Sequence, residues 1–170
     1  MTIQPWFISG FVDGEGSFHV AFVRRQDLPK RWVIIPEFHI SQNSVRASVL
    51  YEIKQFFDCG NIHLNHRIRR NDDSLVYVVR NRRDLLNKII PFFKNYPLRS
   101  SKNIDAKIFA EIVYMMADGI HLSNDGFKNI VEKAYQMNGG GRYRKRMMQE
   151  IVTLESSETI CQVPNYSGKI

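Results

Sequence analysis

Apolar and polar residues alternate with two different periods along this chain, and the changes of period mark its elements. Pro5-Trp6-Phe7-Ile8-Ser9-Gly10-Phe11-Val12 reads as a short apolar helix with proline in its first turn. Asp13-Gly14-Glu15-Gly16 then stops it, because alternating glycine and acid favours a tight turn. From Ser17 to Arg25 the period is two, with Phe18, Val20 and Phe22 on one face and His19, Ala21, Val23 and Arg25 on the other. A polar turn with Pro29 leads to a second strand, Arg31 to Gln42, in which Pro36 argues for an edge or a bulge. From Ser44 the spacing turns helical through Val45, Val49, Ile53, Phe56 and Phe57, with Ser44 as N-cap and Gly60 as stop. Two more strands, Asn61 to Arg70 and Ser74 to Arg80, flank an Asn71-Asp72-Asp73 turn. A helical stretch from Arg83 to Tyr96 is interrupted by Pro91, and Asn103 to Met116 sets Ile104, Ile108, Ile112 and Met115 in register. The loop from Asp118 to Gly126 caps a further helix at Ser123. A last regular segment runs from about Arg142 to Leu154, after the Gly139-Gly140-Gly141 break.

The order is αββαββα followed by helices, an α+β arrangement without a second copy of its opening motif. One domain is expected over residues 1–155, helical from about 118, with an irregular tail over 156–170.

Composition adds the partner question. In 170 residues, 24 Lys and Arg against 17 Asp and Glu give a net charge of +7, which favours an anionic partner without choosing between nucleic acid, membrane and acidic protein. With 44% hydrophobic residues the chain is globular rather than disordered. No apolar run approaches the roughly 20 residues that cross a bilayer. Met1 to Trp6 shows no signal-peptide pattern, and only two cysteines, Cys59 and Cys161, exclude a disulfide framework. Both points lead to the expectation of a reducing, intracellular setting.

The residues Ile8-Ser9-Gly10-Phe11-Val12-Asp13-Gly14-Glu15-Gly16 resemble the signature of the LAGLIDADG homing endonucleases, with Ile-Ser for the leading Leu-Ala and Glu15 as the final acid. Phe38-His39-Ile40-Ser41-Gln42 followed by Arg46 is similar to the family's second strand and next helix, and Pro97-Leu98-Arg99-Ser100-Ser101-Lys102 to its basic stretch before a late helix. The resemblance covers roughly Pro5 to Val113, and a single copy of the signature groups the chain with homodimeric members. It implies a saddle-shaped antiparallel sheet that binds duplex DNA, encoding by an intron or similar mobile element, and residence in the compartment of the host genome.

For the site, the resemblance implies Glu15 as metal ligand assisted by the Gly14 carbonyl, Asp13 as cap of the turn, and Gln42, Arg46 and Lys102 lining the same cavity. Physical chemistry agrees with these assignments. Small residues, Ser9 and Gly10, let a second helix come close. Two copies about a two-fold axis would set two acid-bearing turns side by side, where mutual repulsion invites a divalent cation. Hard oxygens with room for water suit Mg²⁺, two or more ions per dimer, with Ca²⁺ or Mn²⁺ able to substitute in binding. Gln42 can position a water, and Arg46 and Lys102 can stabilise charge on a scissile phosphate.

Period two also fixes an open sheet face: His19, Ala21, Val23 and Arg25; Val33, Ile35, Glu37 and His39; His63, Asn65, Arg67 and Arg69; Val76, Val78 and Arg80. Such a mixture can read a major groove, with Arg on guanine, Asn on adenine, Glu37 on cytosine and apolar groups on thymine methyls. Ile35, Val23 and Val78 are poor choices for open solvent, so a covering partner is implied. Phosphate contacts are expected from Arg24, Lys30, Arg31, Arg70, Arg82, Arg83, Arg142 and Arg144. Neither a membrane nor a small-molecule substrate is expected. Zinc is not expected at Cys59, His63 and His66, because residues three apart on a strand face opposite ways and a fourth ligand is missing. Gly139-Gly140-Gly141 lacks the context of a phosphate-binding loop. Two other readings stay open on this scaffold, an RNA-binding intron maturase and a nuclease-dead DNA-binding regulator.

Overall fold

A computed structural model describes residues 3–25, 27, 32–65, 73–142 and 144–156. Its elements run α1 (Pro5–Glu15), β1 (Gly16–Arg24), β2 (Trp32–Asn43), a 3₁₀ turn (Ser44–Arg46), α2 (Ser48–Phe57), β3 (Asn61–Leu64) and β4 (Ser74–Val79). Then come α3 (Arg82–Asp84), a π-helical turn (Leu85–Ile89), α4 (Ile90–Asn95), α5 (Lys102–Ala117), a 3₁₀ turn (Ile120–Leu122), α6 (Asn124–Gly140) and α7 (Met148–Ser156). The fold is α+β, in the αββαββα order.

The four strands form one antiparallel sheet in the order β1-β2-β4-β3. Helices α1, α5 and α6 lie on β1, α1 and α5 reach β2, and α2 backs β3 and β4. Phe18, Phe38, Phe93 and Phe109 meet at ring-centroid distances of 5.2 to 5.5 Å at the centre of the core. The alternation of β1 and β2 appears as expected, with Phe18, Val20, Phe38 and Ile40 buried and the intervening residues half open. The β1–β2 register steps evenly from Gly16↔Ile40 to Arg24↔Trp32, so Pro36 causes no bulge. Pro36 instead sits where β2 has a neighbour on one side only, since β4 begins pairing at Phe38.

Several expectations are corrected. Helix α1 continues through Glu15, past the expected stop, and ends where Gly16 N–H donates to Val12 O. Ser44 does not cap α2, whose N-cap Ala47 makes no side-chain bond; Asn43 caps the 3₁₀ turn before it, its side chain accepting from Val45 N–H at 3.1 Å. Val45 therefore sits in a tight 3₁₀ turn, 92% exposed, and Leu50, Ile53 and Phe57 carry the buried face of α2. Helix α2 ends at Asp58, in the left-handed conformation, before Gly60 is reached. Leu64, which strand alternation opposite His63 and Asn65 assigns to the buried face, is 60% exposed. The buried stripe of α5 is Phe109, Ile112, Val113 and Met116, leaving Ile104 62% exposed. Pro91 does not break its helix. The preceding turn widens, with Ile90 N–H donating to Leu85 O five residues back, and this accommodates the imino ring. After Gln136 the helical dihedrals of α6 fail at Met137, Asn138 and Gly139, and Gly139, Gly140 and Gly141 all have positive φ. Helix α7 consequently starts at Met148, later than the period implied.

Ser123 does cap α6, its hydroxyl accepting from Gly126 N–H at 3.1 Å. A Cβ on Gly126 would stand 1.9 Å from Ile120 O and 2.7 Å from Ile120 C, both backbone atoms. Gly126→Ala is therefore expected to destabilise the fold by about 1–3 kcal/mol, read from urea denaturation. Gly10→Ala, which meets nothing within 4 Å inside one chain, serves as control at dilutions where the chain is monomeric and should there leave stability unchanged or raise it.

Candidate functional site

The end of α1, the start of β1 and the far end of β2 meet at one corner. Pairing of β1 with β2 stops at Gly16↔Ile40, so Ser41, Gln42 and Asn43 outrun β1 at the end where Glu15 enters the sheet. Arg46 follows in the exposed 3₁₀ turn. Gln42 is half-buried, its Oε1 accepting from Asn43 N–H at 2.8 Å. Glu15 is exposed and, among the described residues, carries neither hydrogen bond nor ion pair.

Two contacts with residues 99–102 hold this corner. The carboxylate of Asp13 accepts from Arg99 N–H (2.8 Å), Ser100 N–H (3.1 Å) and Ser100 Oγ–H (2.5 Å). Burial alone would raise the Asp13 carboxyl, but those hydrogen bonds and the charge of Lys102 outweigh it and hold it below the usual range. The Lys102 ammonium donates to the carbonyls of Val12 (3.0 Å), Asp13 (2.8 Å) and Gly14 (3.4 Å), the negative end of the α1 dipole. Burial pushes the Lys102 amine down, against the opposing pull of Asp13, Glu15 and Asp105. Asp13 thus caps a segment 86 residues away rather than its own turn alone. Nothing local in the sequence marked that role, although Ser100 ahead of a helix is the residue type that takes part in such caps.

The expected pairing of small residues on α1 divides. Ser9 is 2% exposed and donates through Oγ to Tyr96 O at 2.7 Å. Gly10 and Gly14 face outward, where an added Cβ would meet no atom within 4 Å, next to Trp6 and Phe7, each 53% exposed. Among the described residues, then, α1 shows an outward face of two aromatics and two glycines.

The open sheet face follows the expected register. His19 stands opposite Glu37, Ala21 opposite Ile35 and Val23 opposite Val33; His39 lines up with Val78 and Asn61, and Ser41 with Val76 and His63. Val76 and Val78 share this face yet are buried between the flanking strands. Glu37 is held by Arg80, whose Nε donates at 2.7 Å, and by His39, whose Nδ1 lies 3.4 Å away. His39 first, with Arg80, holds the Glu37 carboxyl down at about 2 against the opposing effect of burial. Burial, with Arg144 adding to it, keeps the His19 imidazole below its ordinary range. His63 and Asn65 are exposed, and Arg25 is paired with Asp27 at 2.6 Å. Arg31, Arg67 and Arg69, and the phosphate candidates Lys30 and Arg70, lie outside the described residues. Arg24, Arg82, Arg83 and Arg142 are exposed.

Arg144 does not act as a free surface cation. Its guanidinium donates to Val20 O (2.9 Å) and Ala134 O (2.8 Å) and packs over the rings of Tyr135 and Phe22. Asn138 Nδ2 donates to Phe18 O at 3.0 Å. Together they occupy outward carbonyls of the edge strand β1, a role that the glycine-rich break concealed.

Glu37 and Asp13 are both depressed, so their stabilising effect is complete above their ordinary pKa values and fades as pH falls through the folded-state values. For Glu37 that window runs from the ordinary carboxyl value of 4.5 down to about 2. Acid titration followed by fluorescence should therefore show stability falling as the pH drops through that window, on the order of 2 kcal/mol for Glu37. Glu37→Gln should flatten that part of the curve.

The sheet, carried on helices with one face open and an acid-bearing helix end at its rim, defines a one-sided α+β module whose polar chemistry gathers at one corner. The sequence pattern of the LAGLIDADG endonuclease family matches residues 8–113, and the chain belongs to that family. "Probable intron-encoded endonuclease 3" of Neurospora crassa is 33% identical over 141 residues, covering 82% of this chain and 26% of its own length. The chain thus spans about a quarter of that relative. The crystal structure of a homing endonuclease, I-TnaI, superposes with a TM-score of 0.78 at 34% identity, over 93% of this chain and 99% of that one. I-LtrWI, a LAGLIDADG homing endonuclease solved bound to target DNA, gives 0.74 at 35% identity, over 80% of this chain and 45% of that one.

Glu15 and the Gly14 carbonyl offer the hard oxygens that a divalent cation prefers. The fit is carried by Glu15, whose carboxylate is exposed and makes no hydrogen bond or ion pair among the described residues, whereas the Gly14 carbonyl lies beside the Lys102 ammonium. Among the described residues of one chain, no three His, Cys, Asp or Glu gather at a point.

Proposed function

We propose that this protein is a site-specific DNA endonuclease that cleaves both strands of a long, near-palindromic duplex as a homodimer, with Mg²⁺. It would act in the compartment of the genome that hosts its gene. The observation that carries this reading is the continuity of the open sheet face with the corner that holds Glu15. A duplex lying along β1 and β2 would pass its backbone over that corner. The face offers donors, acceptors and apolar groups suited to base edges. The +7 charge favours the phosphates.

In each half of the dimer, Glu15 would hold the cation with help from the Gly14 carbonyl. A cation bound there lowers the pKa of a water and neutralises charge on the attacked phosphate. Gln42, at the end of β2, orients the attacking water by hydrogen bonding. Lys102, fixed against three carbonyls, and Arg46 set positive charge beside the phosphate as it gains negative charge. Asp13 keeps α1 and the 99–102 segment together, so that Glu15 and Lys102 hold their spacing. The outward aromatic and glycine face of α1 suits a second copy, because glycine lets helix backbones approach closely. The 45% coverage of the DNA-bound I-LtrWI chain also fits a module that supplies one half of such a complex.

The test is incubation with a library of long random duplexes and Mg²⁺, with newly formed ends captured and sequenced. Staggered cuts at one recurrent sequence are expected. Tight duplex binding without any cutting would overturn the enzymatic reading, and preferential capture of structured RNA would support a splicing role instead.

A further inference from the structure

The polar centre of the open sheet face is already assembled in the free protein. Arg80 leaves β4 just past Val79, which pairs with Phe38, so it stands opposite Glu37 on the same face. Its Nε donates to Glu37 Oε2 at 2.7 Å, while His39 Nδ1 lies 3.4 Å from the other carboxylate oxygen. Glu37 has only 16% of its side chain exposed, whereas Arg80 retains 57%. The carboxylate is therefore sunk in the sheet with one oxygen bonded by Arg80 and the other facing His39, and the guanidinium rises above it. Arg80 also lines an open hollow of about 330 Å³ together with Asn61, His63 and Val78.

We propose that Arg80 reads one guanine in each half-site, and that Glu37 acts through Arg80 as a positioning residue rather than touching a base itself. This rests on the duplex-DNA reading above and deepens it. A guanidinium has five donors, and the bond from Nε to Glu37 leaves its terminal nitrogens for another acceptor pair. Guanine O6 and N7 are the major-groove pair that such a fork fits. The anchored fork loses little rotamer freedom on binding, which sharpens discrimination. Glu37 and Arg80 lie across from His19, three strand residues from Gly16 and hence about 10 Å along β1 from the acid-bearing corner. The guanine is accordingly expected in the inner part of each half-site.

The test is selection of bound duplexes from a randomised library, with Ca²⁺ present, by wild type, Glu37→Gln and Arg80→Lys. Thermal melting of each protein establishes that it is folded. For wild type, one position per half-site should favour guanine by at least about tenfold over any other base. In both variants that preference should fall to within about threefold, while preferences elsewhere stay as they were. Glu37→Gln retains every base-contacting group in this scheme, so a purely structural role would weaken all positions together or none. Selection of the same guanine by Glu37→Gln at undiminished strength would overturn the positioning role. Loss of preference at cytosine rather than guanine would make Glu37 a base contact and overturn it as well. Failure of wild type to select any duplex would instead remove the DNA reading on which the inference stands.

Discussion

Glu15→Gln is expected to abolish strand cleavage, by at least about 10³-fold, while leaving duplex binding unchanged or slightly tighter. The two effects separate because Glu15 is exposed and makes no hydrogen bond or ion pair among the described residues, so its replacement disturbs no packing. Gln keeps the shape and loses the negative charge that a hard cation requires. Removing a carboxylate that would face phosphates in the proposed complex also relieves repulsion, which is why affinity should not suffer. Gel-shift titration beside a cleavage time course on the same duplex decides the matter. Cutting at wild-type rate by the variant would remove Glu15 from the chemistry. By contrast, Asp13→Asn should harm both folding and cutting, because the lost charge weakens the bonds to Arg99 and Ser100 that tie α1 to α5.

Gly10→Leu is expected to split the proposed dimer without unfolding the monomer. Within one chain the space around Gly10 is open, so a larger side chain meets no neighbour there and should raise helix propensity. Across a two-fold axis the same side chain occurs twice in the interface. Overpacking of about 1–3 kcal/mol per side corresponds to about 2–6 kcal/mol in all, or roughly 30-fold to 10⁴-fold in the dimer dissociation constant. Double-strand cutting should then require correspondingly higher protein concentration, with the melting of the dilute monomer unchanged or raised. A variant that dimerises as wild type would place the interface elsewhere than on Trp6, Phe7, Gly10 and Gly14.

Strand periodicity was legible because β1 and β2 each bury one face continuously: Phe18, Val20, Phe38 and Ile40 point inward, and His19, Ile35, Glu37 and His39 remain on the other side. Helix phase was less legible. In α5 the apolar residues come in adjacent pairs, Ile108 with Phe109, Ile112 with Val113 and Met115 with Met116, so a stripe can be drawn through either member of each pair. Tertiary packing against α6 and the sheet buries Phe109, both Ile112 and Val113, and Met116, and leaves Ile104 outside. Ser9 and Gly10 are adjacent and thus about 100° apart around the helix; size alone could not say that one faces Tyr96 and the other outward. At the corner, the roles proposed for Glu15, Gln42, Arg46 and Lys102 rest on their residue types and the family pattern. The clamp of Asp13 on Arg99 and Ser100, and the sealing of β1 by Asn138 and Arg144, join residues 86 to 124 positions apart. No local period carries information over that distance.

In the proposed dimer one chain supplies half of a shared active site. The mass of the protein on its cleavable duplex, measured by sedimentation in Ca²⁺, tests this most directly. Two chains per duplex, with a dimer also present free in solution, is the predicted result. A single chain both on and off DNA, with both strands still cut, would contradict it.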